Sequence, residues 1–96
     1  MDRDQVIRIL REHETELRKA GIARLSLFGS VARGESGNDV DLLADFELSR
    51  RLSLFDLAGL EIHLSELLGS PVDLAPAKML KQAVAQRAAQ EAVLVF

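Results

Sequence analysis

The chain has 96 residues, 48% hydrophobic and 28% charged, a composition that excludes disorder and collagen-like repeats and is sized for one domain over 1–96. Its formal net charge of -3, from 12 basic and 15 acidic residues, argues against a general nucleic-acid binder, which needs a dominant positive field. With no Cys and two His, disulfide scaffolds and Cys/His zinc sites are out. No apolar run approaches the roughly 18 residues of a membrane span. The acidic, polar start MDRDQV does not read as a signal peptide, so a soluble cytoplasmic protein is expected.

In chain order, Val6, Leu10 and Leu17 recur at helical spacing, with Ile7 and Ile9 broadening the stripe. Asp2 with Gln5 reads as a capping box, and Gly21 as the stop of this opening helix. IARLSLF (22–28) predicts a strand ending at Gly29, followed by a Gly/Ser/Asn-rich loop and a second strand, VDLLADF (40–46). Ser53 and Asp56 cap a second helix with apolar positions Leu54, Leu57, Leu60, Leu64, Leu67 and Leu68, ended by Gly69 and Pro71. PVDLA (71–75) is a third strand, and Pro76 opens a last helix running to about Glu91. The terminal VLVF is an edge strand or a buried tail. The order αββαβα implies an α/β (α+β) fold, helices packed on a small mixed sheet.

The chemistry concentrates in 27–46, LFGSVARGESGNDVDLLADF. Gly29 and Ser30 follow directly on a strand, where a glycine lets backbone N–H groups approach an anion and the serine hydroxyl adds a donor. Arg33 is close enough in sequence to pair with phosphate oxygens. Asp39 and Asp41 stand two apart at the start of a strand, so their carboxylates point to one side, roughly 6–7 Å apart at Cα. Two such acids repel each other unless a cation lies between them, and magnesium, a hard ion with oxygen ligands, suits the place. In PVDLA, Val72 and Leu74 face the core, which turns Asp73 outward. Were that strand beside the Asp39–Asp41 strand, three carboxylates would converge near a phosphate-cradling turn, as two-metal phosphoryl or nucleotidyl transfer demands. No Gly-Lys-Ser/Thr occurs, so the Walker A alternative fails.

GSVARGESGNDVDLL, with its Gly-Ser turn ahead of an Asp-x-Asp pair and a later Val-Asp-Leu, resembles the DNA polymerase β-like nucleotidyltransferase superfamily. Within it the chain is similar to the minimal nucleotidyltransferases, many of them antitoxins encoded beside a HEPN-domain toxin. The resemblance runs from the first strand to the C-terminal helix and implies a polymerase β-like palm fold. It implies that Gly29 and Ser30, with Arg33 nearby, hold the triphosphate. Asp39 and Asp41 would bind both of two Mg²⁺ ions, and Asp73 would complete the metal and catalytic cluster. The loop 31–38 is slightly shorter than the family's usual form, with Asn38 where Ser is common.

The expected activity is a magnesium-dependent transfer of a nucleoside monophosphate, AMP from ATP before another NTP, onto a hydroxyl. The acidic balance disfavours a nucleic-acid acceptor, and the resemblance points to a tyrosine of a HEPN toxin. The rival reading is an idle antitoxin or nucleotide-binding module that works by protein contact alone. Asn-Asp is also ordinary turn chemistry, yet Asp41 is expensive inside an apolar run without a task. Asp45, of the same parity, is read as solvated, and His13 and His63 as surface or helix-flank positions. The leucines of 54–68 are core first, with part of the helix available to a partner, and VLVF could pair edge to edge in a homodimer.

Overall fold

Asp2 opens the first helix in the computed structural model, which describes residues 2–35, 39–49 and 51–96. Its carboxylate accepts the Gln5 N–H at 2.8 Å while Gln5 Oε1 accepts the Asp2 N–H at 3.3 Å, a complete capping box. α1 (Arg3–Glu12) buries Val6 and Leu10. The single opening helix expected from the periodicity is in fact two. At His13 the backbone leaves helical geometry and the ring Nδ1 meets the Ile9 carbonyl oxygen at 2.8 Å, and α2 (Glu14–Lys19) then buries Leu17. A histidine that bonds the last turn's carbonyl competes with the helical ladder, so the break falls there. Gly21, at φ 110, turns the chain into the sheet.

β1 (Ile22–Phe28) and β2 (Val40–Phe46) pair antiparallel, with Leu25 opposite Ala44, Leu27 opposite Leu42 and Phe28 opposite Asp41. Val40, Leu42 and Ala44 are buried and alternate with half-buried or exposed neighbours, the pattern of a sheet covered on one face. β3 (Val72–Pro76) joins β2 in parallel, which requires a crossover, and α4 (Leu54–Leu68) supplies it. β4 (Val93–Leu94) pairs antiparallel with β1 on the other side, giving the order β3-β2-β1-β4. This is the mixed sheet with packed helices that the element order implies. VLVF is both edge strand and buried tail: Val95 is buried, and its carbonyl accepts Arg11 Nε at 2.8 Å.

α4 begins in the expected box, Ser53 Oγ accepting the Asp56 N–H at 3.1 Å, and ends at Gly69 in left-handed conformation. Leu64 and Leu68 are buried, and Leu57, Leu60 and Leu67 half-buried. Leu54 is not core: it is 75% exposed, in the first turn and about 80° round the helix from Leu64. Two boundaries also differ. β3 runs through Pro76 instead of ending at Ala75, so that proline closes a strand; a short 3₁₀ turn (Ala77–Met79) follows before α5 (Gln82–Glu91). Proline's fixed φ suits an edge-strand terminus as well as a first helical turn.

Candidate active site

The segment expected to be a loop after β1 is a single helical turn, α3 (Gly29–Ala32). Its first residue must be glycine for two separate reasons. Gly29 has φ +78, a conformation that costs an L-residue about 1–2 kcal/mol. A Cβ there would also run into Asp41 Oδ2 and lie 3.2 Å from Asp41 Cγ. Val31 and Ala32 are buried and pin the turn to the core. The Glu35 N–H closes onto the Ser30 carbonyl at 2.9 Å. Ser30 itself is half-buried at the start of the turn, where backbone N–H groups have no intrahelical acceptor.

Above this turn stand the acids. The β1–β2 register sets Asp41 against Phe28 and hence over Gly29, and the β2–β3 register sets Asp73 directly beside Asp41. Asp73 is exposed, as its alternation with Val72 and Leu74 implies, and Asp39 is exposed one residue before β2. The half-buried Asp41 carboxyl is pushed above its ordinary range, first by burial, then by the negative charges of Asp73 and Asp39. Asp73 lies beside Asp41 in the strand register, and both Asp73 and Asp39 act on the Asp41 carboxyl through their negative charge. Among the described residues no group of three or more His, Cys, Asp or Glu side chains is placed to hold a metal ion. In donor chemistry alone the acids suit magnesium, being hard carboxylate oxygens that repel one another until a cation is shared between them.

Arg33 closes α3 and is exposed, its guanidinium held by Glu35 at 3.3 Å and by Glu91 of α5 at 3.3 Å. These acids, Glu35 before all, raise its pKa. It is near enough to Asp41 to pull weakly against the carboxyl's upward shift. Asn38, within 36–38, lies outside the described residues.

Two residues that the sequence reading passed over hold the site in place. β3 is an edge strand, and its outward N–H groups are taken by α4: Glu61 Oε2 accepts that of Leu74 at 3.0 Å, and Ser65 Oγ that of Val72 at 3.1 Å. Both flank Asp73. Their signal was a polar i, i+4 pair within a leucine-rich helix, one face of which must meet something that is not apolar. His63 meets Glu16 of α2 and His13 the backbone of α1, both at partly exposed helix flanks, away from the acids.

Residues 7–95 match the nucleotidyltransferase domain family. The chain belongs to the nucleotidyltransferase family. A curated relative, the protein adenylyltransferase MntA of Thermococcus cleftensis, is 39% identical over 95 residues, which are 96% of this chain and 94% of that one. A solved structure described as a minimal nucleotidyltransferase superposes with a TM-score of 0.78 at 38% identity, covering 97% of this chain and 95% of the other. The same fold is present at 20% identity in a complex of the MNT antitoxin with a tri-AMPylated Shewanella oneidensis HEPN toxin, with a TM-score of 0.66 over 91% of this chain and 70% of that one. The resemblance carried by GSVARGESGNDVDLL is thus borne out, and this nucleotidyltransferase is MntA-like.

Proposed function

We propose that this nucleotidyltransferase transfers AMP from ATP onto a side-chain hydroxyl of a partner protein, with residues 1–96 acting as one catalytic domain in the cytoplasm. The observation that carries the reading is the pairing of Asp41 with Asp73 across β2 and β3, directly over Gly29. A triphosphate brought to those acids is repelled unless divalent cations intervene. Two Mg²⁺ ions held by Asp39, Asp41 and Asp73 would acidify the attacking hydroxyl and neutralise charge on the leaving pyrophosphate.

The protein's own groups divide the remaining work. Ser30 Oγ and the first N–H groups of α3 donate to phosphate oxygens, which fixes the chain of phosphates along the turn. Arg33 adds positive charge at the outer end of that cradle. Asp73, exposed and directly beside Asp41, takes the proton of the acceptor hydroxyl. The acceptor oxygen then bonds to the α-phosphorus as the bond to the bridging oxygen of the β-phosphate breaks, and pyrophosphate leaves.

The acceptor is a protein. The net charge of -3 gives no electrostatic pull on a nucleic acid. The relative seen with an AMPylated HEPN toxin supports a HEPN-type toxin as partner, and the family resemblance suggests a tyrosine as its modified group. Incubating the purified protein with α-labelled ATP, magnesium and the adjacently encoded protein tests this. Label should appear on the partner and vanish with Asp41→Asn. A stable complex without any label transfer would overturn the enzymatic reading in favour of neutralisation by contact.

A further inference from the structure

On the face of the sheet that carries Asp41, side chains stand in rows across the strands. Phe28, Asp41 and Asp73 make the acid row. Two residues along each strand, about 7 Å away, Ser26 lies opposite Leu43 on one side and Leu94 on the other. The row after that pairs Arg24 with Asp45. These five side chains, with Leu80 just ahead of α5, line a cavity of 320 Å³. A largely apolar hollow with a few polar groups at fixed places is the ordinary form of a site for one small group.

Ser26 shows that the hollow has a task. It is 8% exposed, on a strand flanked by two others, and its Oγ bonds no other described residue. Strand interiors favour β-branched residues, and a buried hydroxyl without a partner is costly. Valine would serve the strand better, so the hydroxyl points to a polar group that enters from outside. Arg24 and Asp45 are exposed and, though opposite each other, neither side chain makes a hydrogen bond or ion pair with another described residue. One extended peptide segment satisfies all three: Ser26 and Arg24 donate to its carbonyls and Asp45 accepts an N–H.

The place of the hollow says what the segment brings. Gly29 and Ser30 follow Phe28 at the end of β1, so the acid row lies between the phosphate turn and the cavity. In phosphoryl transfer the attacking and leaving oxygens are roughly in line through phosphorus. Pyrophosphate leaving along α3 therefore requires attack from the cavity side. A serine or threonine hydroxyl hangs directly on Cβ, and a backbone lying in the cavity would hold it a row short of the acids. A tyrosine hydroxyl stands a full ring from its backbone, on the scale of that row.

We propose, resting on the catalytic reading above, that this cavity is the acceptor site. The partner's tyrosine ring lies on Leu43 between Leu80 and Leu94 with its hydroxyl at Asp41 and Asp73, and Ser26, Arg24 and Asp45 hold the backbone that carries it.

Two measurements on the full chain test it. With magnesium and α,β-methylene-ATP, which cannot release pyrophosphate, N-acetyltyrosinamide should shift the NMR signals of Ser26, Leu43 and Leu94, and N-acetylserinamide should not. Leu43→Phe, which fills the hollow, should slow label transfer to the adjacently encoded protein roughly a hundredfold while magnesium–ATP affinity is unchanged. Arg24→Ala with Asp45→Ala changes only exposed side chains, and should raise KM for that protein about tenfold with kcat held. Signals that stay still, or move equally with N-acetylserinamide, overturn the proposal, as do a full transfer rate in Leu43→Phe or an unaltered KM in the double variant. Loss of magnesium–ATP affinity in these variants makes the cavity a nucleoside site and overturns it equally. A wild type that labels no partner defeats the catalytic reading instead, and the tyrosinamide signals then decide the cavity by themselves.

Discussion

Replacing Gly29 by alanine isolates how the site is built. The left-handed backbone alone costs about 1–2 kcal/mol, and Asp41 must also yield to the new Cβ. Moving a side chain about 30° off its rotamer costs roughly 0.5–1.5 kcal/mol. Together they give about 1.5–3.5 kcal/mol, or roughly 6–28 °C of Tm at about 4–8 °C per kcal/mol for a chain of this size. Gly34→Ala is the control: its φ is +82, but no described atom lies within 4 Å of the added Cβ, so it carries the backbone cost alone. A double-mutant cycle with Asp41→Ala then separates the two contributions. Thermal unfolding followed by circular dichroism should show Gly29→Ala costing about 0.5–1.5 kcal/mol less in the Asp41→Ala background than in wild type. An identical cost in both backgrounds, equal to that of Gly34→Ala, would refute the contact between turn and carboxylate.

Three further outcomes follow from the same geometry. The Asp41 carboxyl sits above its ordinary pKa of 3.8, first through burial, so its favourable protonated form is complete below that value and is lost as pH rises through the raised one. Melting in EDTA across that window should therefore show wild type losing stability that Asp41→Asn retains, and parallel profiles would count against the assignment. Ser30→Ala should slow transfer roughly a hundredfold or more, the loss of one transition-state donor being about 2.7–4 kcal/mol. The cap residue of α3 is Phe28 and Ser30 Oγ bonds no other described group, so its melting temperature should hold; full single-turnover rate would remove Ser30 from the phosphate site. Glu61→Ala strands the Leu74 N–H and should cost about 1–3 kcal/mol in urea unfolding, much of it regained by Glu61→Gln, which keeps an acceptor; equal stability of the two variants would refute the edge-capping role.

What the sequence made legible were features written in neighbouring residues. Both capping boxes, the limits of β1 and β2 and the stop at Gly69 depend on patterns a few residues long. The misreadings come where tertiary contact overrides such patterns. The periodicity of Val6, Leu10 and Leu17 survives the break at His13, because α2 resumes with Leu17 facing the same core, so a stripe count cannot detect the interruption. Pro76 is compatible with opening a helix or closing an edge strand, and only its place beside Ala44 of β2 decides. Leu54 has the right residue type for the core but the wrong angle at the helix start.

The site divides along the same line. Alternation within VDLLADF gives Asp41, Leu43 and Asp45 one parity, and that much is local. What distinguishes Asp41 from Asp45 is not parity but company. Asp41 lies beside Asp73 and over a glycine that leaves room for it, whereas Asp45 lies opposite Arg24, exposed, with no acid partnered to it across β3. That company depends on two registers, one closed over the turn from β1 and one over the whole α4 crossover. The sequence names the acids, but only the paired strands assemble them. For the same reason Glu61 and Ser65 could not be read as site residues in advance. Their task exists only because β3 falls at the sheet's edge, where the N–H groups flanking Asp73 would otherwise have no protein acceptor. An edge strand carrying an acid proposed for catalysis needs such a restraint more than a central strand does, since a slip of one residue would turn Asp73 to the other face.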